Sequence, residues 1–338
     1  MKKITYLIIA MFITTLSLLT GCGNNDSNTI RVNEVTHSIF YAPLYVAINK
    51  GYFEEENIKI KLTNGGGSNV SMNAVISGSA DVGLMGVETC VYVAQEGKKE
   101  LPKVFGQLTK RDGSFLVGRN PLSQNETFNW NDLKGKEVLG GRPGGMPAMT
   151  LEYVIKQHGL TIGKGSDQVN INYDIEFNNM TAAFTSGTGD YVTIFEPTAS
   201  SIEREGKGHI LTSVGADAGE VPFTAFIANE KYINKNRDKL KGFLRAVMKG
   251  YNFLITANID DAVAALAPSF DMFTNEDIKN SVNSYKRVDA WVNTPVMQES
   301  AYNNLISVID QAGKLTSQVA FNKIIDNSLA NEVMNEKK

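Results

Sequence analysis

Residues 72–88, MNAVISGSADVGLMGVE, give the main indication of how this chain folds. They read as the end of a helix, a glycine turn, an aspartate and a short apolar strand that ends at Glu88. Residues 180–196, MTAAFTSGTGDYVTIFE, repeat this order and end at Glu196, with an internal slip of one residue. Ligands of α/β sheets bind just outside the carboxyl ends of strands. The two copies predict two lobes that face each other across a cleft; the alternative is a coincidence between two amphipathic helix–strand units.

Strands and helices alternate along the chain, which favours parallel or mostly parallel sheets. Apolar residues alternate with polar ones in residues 30–32 and 58–62, as in strands, and Leu44 to Ile48 form an apolar helix that stops at Gly51. After Val117 a second set of strands and helices begins, and an apolar run from Phe223 predicts a return strand.

We therefore predict an α/β fold with two lobes. Residues 29–117 and 222–338 form lobe 1, and residues 118–221 form lobe 2. Two hinge crossovers, near residues 115–119 and 221–225, would join the lobes.

The N-terminus has the pattern of an export signal. Lys2 and Lys3 precede an apolar run that ends at Leu19. The run is too short to span a bilayer comfortably, which takes about 20 residues. Leu19, Gly21 and Cys22 resemble the bacterial lipobox, in which the cysteine is lipidated and becomes the first mature residue. We predict a lipoprotein signal peptide at residues 1–21, lipidation of Cys22 and a polar tether at residues 22–28; an ordinary secretory signal is the alternative.

Charge and cysteine content argue against a nucleic-acid-binding protein and against a fold held by disulfides. Removal of residues 1–21 leaves 31 basic against 36 acidic residues, a net charge of −5. This mildly acidic chain has no basic stripe for nucleic acid. Cys90 is the only cysteine besides Cys22, so no intrachain disulfide is expected. About 310 residues must fold by core burial alone, a length that favours two domains.

Short segments spread over the mature chain resemble the solute-binding proteins of ABC importers. The likeness is to the family that binds sulfonates, taurine, nitrate and thiamine pyrimidine precursors. The matching segments are residues 42–47 (APLYVA), 51–53 (GYF), 77–83 (SGSADVG), 195–200 (FEPTAS) and 312–315 (AGKL), together with Trp291 and Pro295.

This resemblance implies a type II periplasmic-binding-protein fold, whose two α/β lobes close on a small molecule. It also implies a permease and an ATPase as partners. The protein would be a monomer at the outer face of the bacterial cytoplasmic membrane, held there by the lipid anchor on Cys22, and would not bind nucleic acid.

Four segments are predicted to line the cleft, and two of them belong to lobe 1. Ser38, Phe40 and Tyr41, in the loop after the first strand, offer flat apolar area with polar groups for a planar ligand. The alternative is that Phe40 and Tyr41 only pack the lobe. At the end of the first repeat, Glu88 and Thr89 contact the ligand, or they stabilise and cap the helix that follows.

The third segment is the glycine-rich turn of residues 140–145, with Arg142, Gly144 and Gly145. Its glycines let the backbone approach a ligand, and the helix that follows presents N–H donors. The turn lacks the Gly-Lys-Ser/Thr ending of a phosphate-binding P-loop. A plain connector between strand and helix is the alternative.

The fourth segment, Phe195 and Glu196, ends the second repeat. Glu196 contacts the ligand or stabilises the next helix. Carboxylates that converge on one cleft from both lobes, Glu88 and Glu196, repel each other unless the ligand supplies donors or positive charge. We therefore predict a small nitrogen heterocycle, similar to a thiamine pyrimidine precursor, that donates to both. If either carboxylate points into a helix cap, an alkanesulfonate, taurine or nitrate anion becomes the alternative.

An enzyme is the main competing class, because the family also includes a eukaryotic synthase that makes the thiamine pyrimidine. By resemblance, that chemistry needs a pyridoxal-bearing lysine, histidines and an iron-binding cysteine cluster. Here Cys90 and three scattered histidines (His37, His158 and His209) form no such cluster, and no metal-ligand spacing or catalytic triad is apparent. We predict a protein that is not an enzyme and needs no metal or cofactor. A sensory or adhesive lipoprotein is a third possibility.

Overall fold

The structure is a computed structural model that describes residues 28–98 and 100–336. The predicted signal peptide, Cys22 and nearly all of the tether lie outside the described residues. The strands are β1 (Thr29–Glu34), β2 (Lys59–Asn64), β3 (Val82–Gly86), β4 (Pro102–Thr109), β5 (Ser114–Gly118), β6 (Glu137–Leu139), β7 (Asn170–Asn172), β8 (Tyr191–Phe195), β9 (His209–Ser213) and β10 (Thr224–Asn229).

The helices alternate with these strands and then dominate the C-terminal third. They are α1 (Ala42–Asn49), α2 (Tyr52–Glu55), α3 (Ser68–Ser77), α4 (Glu88–Gln95), α5 (Met146–Gln157), α6 (Met180–Thr185), α7 (Thr198–Arg204), α8 (Val214–Ala218), α9 (Glu230–Lys235), α10 (Arg237–Thr256), α11 (Ile259–Leu266), α12 (Asn275–Arg287), α13 (Glu299–Gln311), α14 (Phe321–Ile324) and α15 (Ser328–Asn335). Among the residues described, no helix combines the length and apolar character needed to cross a bilayer.

The strands form two five-stranded sheets with the same internal order, β2-β1-β3-β10-β4 and β7-β6-β8-β5-β9. In the first sheet β1 is parallel to β2 and β3, and β10 runs antiparallel to β3 and β4. In the second sheet β6 is parallel to β7 and β8, and β5 runs antiparallel to β8 and β9. Each sheet therefore combines a parallel β-α-β core with one antiparallel strand. In the first sheet that strand, β10, comes from much later in the chain, whereas in the second sheet it is β5, the strand before β6.

The chain passes between the sheets twice. It leaves the first sheet after Thr109 and enters the second at Ser114, and it returns between Ser213 and Thr224. The crossings contact each other, since the Val221 N–H donates to the Lys110 carbonyl at 2.9 Å. The lobe boundaries predicted after residues 117 and 221 remain a proposal. The first of them divides β5, which pairs along its whole length within the second sheet.

The two repeated stretches occupy equivalent places in the two sheets. The first supplies the end of α3 and strand β3, which pairs with β1; the second supplies α6 and strand β8, which pairs with β6. The Asp81 carboxylate accepts the backbone N–H of Arg31 in β1 at 2.9 Å. The Asp190 carboxylate accepts the N–H of Glu137 in β6, also at 2.9 Å. Each aspartate therefore ties its glycine turn to the neighbouring parallel strand, β1 in the first sheet and β6 in the second.

The long helix α10 covers the first sheet with an amphipathic face, on which Phe243, Val247 and Leu254 are buried. It crosses α1 at close range: an added Cβ at Gly250 would lie 2.1 Å from the carbonyl oxygen of Pro43. The absence of a side chain at Gly250 is what lets the two helices approach, and the contact fixes α1 beneath the loop that leads to the cleft.

Helix α12 joins the C-terminal region to the second sheet. Its capping box is formed by Thr274 and Asp277. The buried Asp277 carboxylate also accepts from Arg204 of α7, with Nε and Oδ1 2.9 Å apart. α12, which belongs to lobe 1, therefore also contacts lobe 2 beside the cleft.

Candidate functional site

The candidate site is a cleft at the carboxyl ends of the parallel strands of both sheets. One wall comes from residues that follow β1, β2 and β3, and the other from residues 140–148, Phe177 and Phe195. The space between them, open solvent included, is about 600 Å³. In α/β proteins, clefts at the carboxyl ends of parallel strands are where ligands bind.

Glu88 is a buried acid whose carboxyl oxygens have no hydrogen-bond partner among the described residues. It is the first residue of α4 and is 1 % exposed. Its carboxyl group lies against Gly86 in the cleft wall, where an added Cβ would come within 1.9 Å of Oε2. Burial raises the pKa of Glu88 to about 8. The group is therefore mostly protonated at neutral pH and offers one donor and one acceptor.

Tyr41 lines the cleft, whereas Phe40 lies behind it. The buried Tyr41 hydroxyl has no partner among the described residues, and burial raises the pKa of Tyr41 well above its usual value, so it remains a donor. The Phe40 ring is enclosed by Phe195, Phe223 and Tyr285, with centroids 5.3, 5.7 and 5.1 Å away. The stacking role predicted for Phe40 is therefore replaced by packing between the lobes, the alternative that the sequence had left open.

The carboxyl group of Glu196 is hydrogen-bonded to the first turn of α7. Its carboxyl oxygens accept from the Ser200 N–H at 2.8 Å and the Ser200 hydroxyl at 2.9 Å. Burial raises the pKa of Glu196 to about 7, and the bonds from Ser200 oppose that rise. Of the two carboxyl groups predicted to receive the ligand, Glu88 alone keeps unpaired oxygens, and Glu196 takes the helix-stabilising role.

The backbone of Glu196 is held by residues from outside its lobe. The Ser38 hydroxyl donates to its carbonyl oxygen at 2.6 Å, and its N–H donates to the Tyr285 hydroxyl at 3.0 Å. Ser38 therefore joins the lobes next to the cleft, in a second cavity that it lines together with Phe195 and Glu196.

Thr89 does not cap α4 as predicted. Its hydroxyl donates to the Gly86 carbonyl oxygen at 2.7 Å, and the residue at the N-cap position, Val87, makes no side-chain capping bond. The helix begins one residue before Thr89, so the Thr89 hydroxyl points back to the strand end.

The glycine-rich turn of lobe 2 reaches the cleft through Arg142 and Gly145. Gly144 has a φ of 76°, in the left-handed region that favours glycine, and its carbonyl oxygen accepts from the Tyr92 hydroxyl of α4 at 2.8 Å. Within the described part of the chain, the Arg142 guanidinium makes no hydrogen bond or ion pair. The turn is thus more than a connector, because it brings an unpaired positive charge to the cleft.

Several lining residues were missed by the sequence analysis. Gly66, Gly67 and Ser68 form a second glycine-rich turn, between β2 and α3. The sequence NGGGS at residues 64–68 repeats the strand–glycine–helix pattern of residues 140–145 and was a usable signal. Phe177 and Phe223 carried no such signal, because an aromatic residue in a loop looks the same whether it packs a core or lines a cleft.

A polar cluster beside the cleft joins the exposed His37 to the buried Glu34 and Tyr45. The His37 Nδ1 is 3.0 Å from the Glu34 carboxylate, and its Nε2 is 2.6 Å from the Ser269 carbonyl oxygen. Both neighbours accept hydrogen bonds, and this arrangement favours the doubly protonated ring. The Tyr45 hydroxyl donates to the other oxygen of Glu34. The bond to Glu34 is the main cause that raises the pKa of His37.

Comparison with known proteins yields a family and a fold. A family model described as NMT1/THI5 like matches residues 39–258. YtlA of Bacillus subtilis (strain 168), named as a binding protein, is 38% identical over 320 residues, 94% of this chain and 94% of that protein. The formylaminopyrimidine-binding protein of Halalkalibacterium halodurans is 25% identical over 284 residues, 82% of this chain and 80% of its own.

Among solved structures, the periplasmic nitrate-binding protein NrtA of Synechocystis PCC 6803 matches with a TM-score of 0.73 and 16% identity, over 91% of this chain and 89% of its own. The likeness confirms the predicted fold, in which two α/β lobes are joined by two crossovers as in the periplasmic binding proteins.

Proposed function

Because this chain belongs to the NMT1/THI5-like family, we propose that it is the extracytoplasmic solute-binding lipoprotein of an ABC importer. A lipid on Cys22 holds it at the outer face of the bacterial cytoplasmic membrane. Its two lobes close on a small nitrogen heterocycle, similar to a thiamine pyrimidine precursor, and deliver it to a permease that a separate ATPase drives. The protein acts as a monomer and catalyses no reaction.

The observation that carries the choice of ligand is the unpaired Glu88 carboxyl group. A protonated carboxyl group donates one hydrogen bond and accepts another. An aminopyrimidine presents the matching pair on one edge, a ring nitrogen that accepts and an amino group that donates. A buried polar group left unpaired costs about 1–3 kcal/mol, which such a ligand would recover.

The aromatic side chains of the cleft support a flat ligand. Tyr41, Phe177, Phe195 and Phe223 all contribute to the wall. Aromatic rings pack well against a planar heterocycle, in stacked or edge-to-face geometry. A relative named for binding a formylaminopyrimidine, alignable over 82% of this chain, favours the same ligand class.

A nitrate or alkanesulfonate anion is the second candidate, favoured by Arg142. The guanidinium is unpaired among the described residues, and α3 and α5 begin beside the cleft without side-chain caps. Helix N-termini and arginine suit oxyanions. Glu88 argues against an anion alone, because a simple anion has no hydrogen-bond donor for the acceptor oxygen of the protonated carboxyl group and would leave that buried oxygen unpaired.

A ligand panel tests the proposal. Thermal unfolding of the purified mature protein would be followed with 4-amino-5-hydroxymethyl-2-methylpyrimidine, its formylamino analogue, nitrate, taurine and methanesulfonate. We expect the pyrimidines to stabilise the protein, by about 2.7 kcal/mol at 100 times the dissociation constant.

The matched control is Glu88→Met, which keeps the side-chain volume but removes both polar atoms. It should fold and lose the pyrimidine response. Stabilisation by nitrate or a sulfonate alone, unchanged in Glu88→Met, would refute the heterocycle assignment in favour of the anion.

A further inference from the structure

The Glu88 carboxyl group lies against Gly86 in the lobe 1 wall of the cleft, and Arg142 lines the lobe 2 wall. The two groups have opposite character and do not pair with each other. No contact within 4.0 Å joins the carboxyl group to the guanidinium, and each lacks any other partner among the described residues. Arg142 is nevertheless close enough to lower the pKa of Glu88 against the larger, opposite effect of burial. The two groups therefore lie near each other at the cleft, and each lacks a partner of the kind that a ligand supplies.

Tyr92 keeps this spacing fixed. It lies one turn after Glu88 on α4, and residues four apart share one face of a helix. Its hydroxyl donates to the carbonyl oxygen of Gly144, two residues after Arg142. The helix that carries the acid thus also holds the turn that carries the arginine, so the gap between the two groups is set by a hydrogen bond between the lobes.

The surroundings of Arg142 suit an oxygen anion. α5 begins at Met146, and its N-cap residue Gly145 has no side chain to satisfy the N–H groups of the first turn. Met146 and Ala148 of that turn line the cleft. The guanidinium and the helix N-terminus therefore present donors and positive charge on the same side of the cleft.

We propose that the natural ligand is an amino-substituted nitrogen heterocycle that also bears an anionic oxygen group, with its amino edge at Glu88 and its anion at Arg142. The inference rests on the proposed function and narrows its substrate class. Neither a simple oxyanion nor an uncharged heterocycle satisfies both groups. A ligand that spans them links the lobes, so recognition of both ends and closure of the cleft become one event.

Isothermal titration calorimetry with three probes tests this inference on the full mature chain. The probes are 4-aminopyrimidine, pyrimidine-5-carboxylate and 4-aminopyrimidine-5-carboxylate, which carry the amino edge, the anion and both. We expect the third probe to bind at least about tenfold more tightly than the first, as for one hydrogen bond to a charged group.

Arg142→Gln should abolish that advantage, so that the third probe binds this variant no more tightly than the first, as expected for the loss of a contact that only the anion makes. Lys134→Gln, at an exposed basic residue of the same lobe, should change neither affinity. Equal affinities of the first and third probes for the unmodified protein, or an advantage that survives Arg142→Gln, would overturn the inference while the proposed function stands. Binding of none of the three probes would refute the proposed function itself.

Discussion

Tyr285 and Glu196 are joined by a buried hydrogen bond of 3.0 Å, from the Glu196 N–H to the Tyr285 hydroxyl oxygen. The same hydroxyl donates to the carbonyl oxygen of Gly113, also at 3.0 Å. Tyr285 belongs to α12, Glu196 follows β8, and Gly113 lies where the chain first crosses between the sheets. One hydroxyl group therefore ties a C-terminal helix both to the cleft and to a crossing.

Tyr285→Phe should lower the free energy of unfolding by about 1–3 kcal/mol, because it leaves the Glu196 N–H and the Gly113 carbonyl without their partner. Urea unfolding of the ligand-free protein measures the loss. Tyr251→Phe is the matched control, since the Tyr251 hydroxyl makes no hydrogen bond among the described residues and should change stability by less than about 0.5 kcal/mol. Equal midpoints for the two variants would show that the bonds of Tyr285 contribute nothing.

The two repeat aspartates should differ in their contribution to stability. Asp81, with a side chain 13% exposed, accepts from the backbone and the guanidinium of Arg31. The side chain of Asp190 is 46% exposed and lies 4.0 Å from Lys136. We expect Asp81→Ala to cost about 1–3 kcal/mol and Asp190→Ala less than about 1 kcal/mol, because solvent screens the exposed pair. Denaturant titration of both variants tests this order, and the reverse order would contradict it.

Glu88 should make the ligand-free protein less stable as the pH rises. The folded state keeps a proton on Glu88 up to pH about 8, whereas the unfolded chain releases it near the ordinary value of 4.5. The stabilisation linked to this proton is therefore complete below pH 4.5 and is lost as the pH rises to about 8, at up to about 1.4 kcal/mol per pH unit.

Unfolding measured at pH 5, 6, 7 and 8 should show a shallower decline for Glu88→Gln, because the amide does not titrate. Glu96→Gln, at an exposed position beyond the end of α4, should leave the slope unchanged. If the Glu88→Gln slope matches that of the unmodified protein, the buried group does not hold its proton.

His37 should titrate above the ordinary histidine value of 6.5, mainly because the ring donates to Glu34. The stability that the charged ring contributes is present below pH 6.5 and is lost as the pH rises through the higher pKa of the folded state. NMR titration of the His37 ring measures the midpoint directly. A midpoint at or below that of an unstructured histidine peptide would mean that the cluster does not favour the imidazolium.

The fold could be predicted from the sequence because its local patterns of turns, strands and helices agree with the tertiary structure. The glycine turns and the aspartates Asp81 and Asp190 marked equivalent units, and the structure places these in equivalent positions of the two sheets. The turn at residues 140–145 was found because its glycines stand out between a strand and a helix. The equivalent turn at residues 64–68 was missed although it carries the same pattern.

The roles of Glu88 and Glu196 could not be separated from the sequence, since each lies where a strand gives way to a helix. The difference depends on the side chain one helical turn further along. Ser200 supplies two donors that hold Glu196, whereas Tyr92, the residue four after Glu88, uses its hydroxyl on the other lobe. The role of Phe40 could not be predicted from the sequence either, because the aromatic rings that surround it come together only when the lobes assemble.

β10 lies between β3 and β4, and among the described strands β4 has no other neighbour in its sheet. A nascent polypeptide therefore cannot complete the first sheet until residues 224–229 have left the ribosome, after every strand of the second sheet has been synthesised. The apolar face of α1 is covered later still, once α10 has been synthesised and can pack against it. For a protein that we propose to be secreted, the first sheet therefore completes its core only late in synthesis, after the chain of the second sheet has emerged.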